Sequence, residues 1–181
     1  MFPSIHNRIA WGEIRLNMQA LAEKKKESLV SAVYIGLIFI LLALICVINF
    51  PHGVLKSFLN FINSFVLTQV PGTSFSLPAP VHPASYLVLY TSIFEFSLGL
   101  GILEIAILAI RIRLHSSLPR KAETIENIVF ALGTGYLVIT YLVDMTIMSE
   151  WFVFWAGVVL ITGLALVARS FVLIAGQRSQ V

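Results

Sequence analysis

Residues 29–50 read LVSAVYIGLIFILLALICVINF, an unbroken run of 22 residues without a formal charge. An α-helix rises about 1.5 Å per residue, so about 20 residues cross a hydrocarbon core of about 30 Å. Three more apolar runs follow at 86–110, 125–148 and 151–175. Each is long enough to span a bilayer. The expected fold is an all-α integral membrane protein, a four-transmembrane-helix bundle with an extra amphipathic helix in its external loop. The chain divides on this reading into a cytoplasmic amphipathic segment, 1–28, a four-span domain, 29–176, and a cytoplasmic tail, 177–181. The external loop occupies 51–85.

Composition supports the same class. Only 12% of the 181 residues are charged, against about 25% in a soluble domain. The net charge of +3 does not point to nucleic acid, because the basic residues flank spans and form no single patch. Cys46 is the one cysteine. It has no intramolecular disulfide partner and reads as a small hydrophobe. The first apolar run exceeds the roughly 7–15 residues of a signal h-region, so it reads as an uncleaved anchor.

The distribution of Lys and Arg sets an orientation. Arg8, Arg15, Lys24, Lys25 and Lys26 precede the first span. Arg111, Arg113, Arg120 and Lys121 lie between the second and third, and Arg169 and Arg178 lie at or near the end of the fourth. Lys56 alone falls between spans one and two. Basic loops stay inside, so both termini are expected in the cytoplasm of a multi-pass cell-membrane protein.

Two flanking segments have helical spacing. Residues 5–27 place Ala10, Ile14, Met18 and Leu21 on one face, with Trp11 as an interfacial anchor. In the external loop, Val54, Leu55, Phe58, Leu59, Ile62, Phe65 and Val66 share a face opposite Lys56, Asn60 and Asn63. That spacing predicts an interfacial helix over about 54–68. Pro71-Gly72 and the run Pro78-Ala79-Pro80-Val81-His82-Pro83 then favour turn and extended chain.

Ionisable residues inside the runs are the candidate functional groups: Glu95, Glu104, Glu126, Asp144 and Arg169. Charges at membrane depth are costly and by default mark function or specific pairing. Glu95 and Glu104 are nine positions apart, which puts them on opposite faces of one helix at about 100° per residue. Glu126, Gly133, Thr140 and Asp144 share a stripe on the third span. Arg169 and Glu104 each lie at similar distances from the inner ends of their helices, so they are expected to pair. Thr162 and Ser170 are candidates to complete that pair's hydrogen bonds. Glu95 lies near the midplane with no basic residue expected at its depth. A carboxyl there suits proton transfer, cation coordination or a hydrogen bond to a neighbouring helix. Ser97 and Gly101, and Ala131 and Gly135, form small-xxx-small pairs that let helix backbones approach.

No catalytic residue is assigned. His6, His52, His82 and His115 are scattered and form no metal-binding spacing. No phosphate or dinucleotide fingerprint occurs outside the apolar runs, so no metal and no cofactor are expected. Trp151, Phe152, Phe154 and Trp155 read as an aromatic belt at the outer start of the last span. The expected partners are the lipid bilayer and other membrane subunits or further copies of the chain, without nucleic acid. The leading functional expectation is a non-catalytic subunit or scaffold of a membrane oligomer. A small proton- or cation-conducting transporter or channel is the alternative, and a lipid-modifying enzyme a distant third.

Overall fold

The computed structural model describes residues 5–144 and 147–178, with the side chains of 5–20, 22–24, 177 and 178 left undescribed. The stripe Ala10, Ile14 and Met18, the Trp11 anchor and the tail 177–181 therefore lie outside the described side chains. The chain divides into two compact units, Met1–Leu37 and Ile38–Val181. The first is helical from Ile5. Helix α1 has the bounds Ile5–Asn49.

The second unit continues with α2 (Val54–Asn63), β1 (Phe65–Gln69), β2 (Ser76–Pro80), α3 (Leu87–Arg113), α4 (Leu118–Val138) and α5 (Ser149–Arg178). Among the described residues, four helical stretches are long and apolar enough to cross a membrane: Lys25–His52, Pro83–Arg113, Leu118–Val143 and Ser149–Gly176. Helix α4 packs on α3 along one side and on α5 along another. Small residues bring the backbones together. Gly135 stands against Ser97, and Gly133 stands against Ile161 of α5. Ser97, Gly101, Ala131 and Gly135 are all buried. The α3–α4 connection is held by Arg111, whose guanidinium donates to the Arg120 carbonyl at 2.7 Å and to the Thr124 hydroxyl.

The loop between α1 and α3 departs from the expectation. The helix predicted over 54–68 stops at Asn63, and the next residues form an antiparallel hairpin, the one sheet among the described residues. Phe65 and Val66 belong to β1 and not to the helical face. The physical reason is the pairing partner downstream. Val81 donates to the Ser64 carbonyl at 3.0 Å, and Val70 to the Phe75 carbonyl at 2.9 Å. In an antiparallel ladder, directly bonded pairs alternate with unbonded ones. Counting in from both ends, Val66–Ala79 and Thr68–Leu77 face inward to bond. Pro78 and Pro80 fall at the intervening positions, where no ladder donor is required. The turn is Val70-Pro71-Gly72-Thr73, with Gly72 at φ 77° and Thr73 N–H donating to the Val70 carbonyl at 3.1 Å. Pro at the second position and a left-handed Gly at the third are what a type II turn requires.

This hairpin and α2 seat on an aromatic cluster at one end of α3 and α5. Phe61 meets Tyr86, Tyr90 and Trp151 edge-on, and Phe65 meets Trp151 with centroids 6.0 Å apart. The Trp151 indole N–H donates to the Pro78 carbonyl at 3.3 Å. Trp151 is only 2% exposed and Phe154 is buried with it, whereas Trp155 is half exposed. The expected belt is thus split: Trp151 and Phe154 are core residues, because the hairpin covers them. Ala79 and Pro80 are the hairpin's buried points. The Tyr90 hydroxyl, in the same cluster, is buried without a hydrogen-bond partner among the described residues.

Candidate functional site

The sequence places polar groups inside apolar helices, and the helix order decides what each one meets. Glu95 and Glu104 project to opposite sides of α3. On one side, the Asn49 amide of α1 donates to Glu95 Oε2 at 2.8 Å and also to its own helix at the Ile45 carbonyl, 3.2 Å. Asn49 is buried and Glu95 half-buried. On the other side, the Asn127 amide of α4 donates to Glu104 Oε1 at 2.8 Å. Glu104 is 1% exposed, the most deeply buried charged residue among those described. A carboxylate or carboxylic acid in such a place needs hydrogen-bond partners, since an unsatisfied one is costly in lipid.

Arg169 does not form the expected pair. Its guanidinium donates to Glu126 Oε2 at 2.9 Å, joining α5 to α4. Depth alone did not separate Glu104 from Glu126 as acceptor. Helix order does: α4 packs on both α3 and α5, and its Glu126 is turned to α5 while its Asn127, one residue on, reaches α3. The side chains of Arg169 and Glu126 are 43% and 22% exposed, so the pair stands at the rim of the α4–α5 contact and not deep within it. Thr162 and Ser170 do not complete it. Each donates to the carbonyl four residues back on α5, at 2.8 and 2.9 Å, the usual refuge of a hydroxyl in a helix.

We expect Glu126→Gln and Arg169→Gln each to lower stability by about 1–2 kcal/mol, and the exchange Glu126→Arg with Arg169→Glu to recover at least half of that loss. Denaturant titration in detergent reads the effect. Equal losses in the singles and the double exchange would remove the pair as a structural link.

Asp144 also departs from the stripe. Residues Ile139–Val143 form a π-helical turn, and Asp144 follows it with φ −95° and ψ 18°, outside the helix. A π turn holds more residues than an α turn, so the 18-residue stripe loses register there. Gly133 faces α5, but Thr140 and Asp144 are exposed. Asp144 is a loop carboxylate beyond the end of the candidate span and does not join the other four groups.

Sequence reasoning missed Asn49 and Asn127. Each lies inside or at the edge of an apolar run, and an amide there has the same need for a partner as an acid. That need was the available signal. An apolar groove of about 340 Å³ lies between α1, α2 and α3, lined by Ile45, Cys46, Val54, Phe58, Leu89 and Ile93. Among the described residues, no group of three or more His, Cys, Asp or Glu converges on a point. The arrangement as a whole is a series of interhelical clamps, α1 to α3, α3 to α4, and α4 to α5. No family model, curated protein or solved structure matches the chain.

Proposed function

We propose that this chain is a non-catalytic, multi-pass membrane protein that serves as a subunit or scaffold of a membrane oligomer or complex. Its helices α1, α3, α4 and α5 form a four-span bundle in the cell membrane, with both termini cytoplasmic. Helix α2 lies in the outer interface. The exposed apolar row Leu55, Phe58, Leu59 and Ile62 supports that placement, since such a face lowers its free energy by entering the headgroup boundary. The observation that carries the reading is the use made of the intramembrane acids. Glu95, Glu104 and Glu126 each accept a hydrogen bond from the neighbouring helix. Acids engaged in this way hold helices in register.

Glu95 provides the test. Gln at this position still accepts the Asn49 amide, so Glu95→Gln should keep the native mass and stability of the wild type. Glu95→Ala removes the acceptor and should cost about 0.6 kcal/mol, the average for polar contacts between membrane helices, and at most about 1.7. In liposomes, the wild type should carry no more proton or cation flux than empty vesicles. Flux that Glu95→Gln abolishes while the native mass stays unchanged would replace the scaffold reading with the alternative, a small proton- or cation-conducting transporter or channel.

A further inference from the structure

The two edges of the hairpin differ chemically. Inward bonding uses Ser64, Val66, Thr68 and Val70 on one strand against Val81, Ala79, Leu77 and Phe75 on the other. The outward-facing backbone of β2 therefore belongs to Ser76, Pro78 and Pro80. Two of these have no N–H, so that edge offers little to another strand. The outward-facing backbone of β1 belongs to Phe65, Leu67 and Gln69. All three carry an N–H, and among the described residues none of these N–H groups is bonded to another backbone group. Leu67 is 77% exposed. Natural edge strands are usually guarded by Lys, Pro, a bulge or a covering element. β1 contains no proline and no charged side chain, and the chain carries no Lys, Arg, Asp or Glu between Lys56 and Glu95.

We infer that β1 is a self-association edge, pairing antiparallel with β1 of a second copy to extend the hairpin into a four-stranded sheet. The inference rests on the oligomer reading above and names its interface. A two-fold arrangement centred on Leu67 sets Leu67 against Leu67 and Phe65 against Gln69 of the partner copy. Each outward N–H then faces an outward carbonyl, as an isologous interface requires. Neutrality selects this occupant. Two uncharged edges meet without like-charge repulsion, whereas a charged peptide finds no complementary group on β1. Copies inserted into one membrane with the same orientation also present β1 on the same side, which a two-fold axis along the membrane normal demands.

Two variants test it, in full-length protein extracted gently from its own membrane. Leu67→Pro deletes the central outward donor while sparing the hairpin's own ladder, and Leu67→Thr keeps the donor as a control. The wild type and Leu67→Thr should have the native mass of two copies, and Leu67→Pro should dissociate at least about tenfold more readily. In a Cys46→Ala background, Leu67→Cys should form a covalent dimer on mild oxidation, because bonded antiparallel partners lie about 5.5 Å apart at Cα, within disulfide range. A dimer that survives Leu67→Pro and gives no Leu67→Cys cross-link overturns the β1 interface and leaves the oligomer reading standing. A single copy bound to a stoichiometric foreign chain overturns self-pairing and keeps the subunit reading. A single copy with no partner overturns both.

Discussion

Replacing Trp151 with Ala should release the hairpin from the helices and lower stability by about 3–5 kcal/mol, the usual cost of deleting a buried tryptophan. Three links of the structure meet in this side chain. Its ring touches Phe61, Phe65, Phe154 and Trp155, its N–H holds the Pro78 carbonyl, and its burial is nearly complete. No other described contact ties β2 to α5 by a side-chain hydrogen bond. Trp151→Phe keeps most of the ring packing and loses the donor, so it should cost nearer 1 kcal/mol. Chymotrypsin reads the hairpin directly, because Phe65, Leu67 and Phe75 lie in it and none is followed by proline. Cleavage within 65–80 should become fast in Trp151→Ala and stay slow in Trp151→Phe. Equal cleavage in all three proteins would show that the hairpin is not seated on Trp151. The same experiment bears on self-association, since a released hairpin no longer presents β1 in a fixed position.

Gly135→Leu should force α3 and α4 apart and destabilise the helical unit by about 2–3 kcal/mol, at the upper end of overpacking effects. A Cβ at Gly135 would stand 3.2 Å from the Ser97 Cβ and 3.9 Å from both the Leu98 nitrogen and the Phe94 ring. Ser97 Cβ is fixed to the backbone and cannot swing away as a long side chain can. The larger residue must therefore move a helix, and the Asn127–Glu104 bond lies on the same interface. Gly135→Ala asks Ser97 to give by only a few tenths of an ångström and should cost much less. Gly163→Leu is the control, since nothing lies within 4 Å of a Cβ there. Denaturant unfolding in detergent gives the ranking. If Gly135→Leu and Gly163→Leu were equally stable, the close approach of α3 and α4 would be refuted.

The clamps also explain why a modest polar content suffices. Each interhelical hydrogen bond contributes only about 0.6 kcal/mol on average in a membrane. Its absence, with the acid left in place, costs more, because a buried polar group without a partner loses its full solvation. The acids therefore discriminate between helix arrangements more strongly than they stabilise any one of them. Swapping the neighbours of α3 would break the Asn49–Glu95 and Asn127–Glu104 bonds.

The sequence by itself determined the four apolar helices, because length and hydrophobicity act residue by residue and need no partner. It determined the opposite faces of Glu95 and Glu104 for the same reason: helical rotation is local. The Pro71-Gly72 turn was legible too, from the φ that each residue favours. Tertiary structure alone decided the rest. Asn49 and Asn127 became donors only when α1 and α4 were set on either side of α3. Arg169 went to Glu126 because α4 stands next to α5, a fact of neighbourhood that depth does not contain. The π turn at Ile139–Val143 carried Asp144 off its stripe, and no residue type announces such a turn. Phe65 and Val66 left the amphipathic helix for a strand because Ala79 and its neighbours, more than ten residues away, supplied the other half of the ladder. Long-range pairing overrode a local period, and it did so at the C-terminal end of the amphipathic stretch.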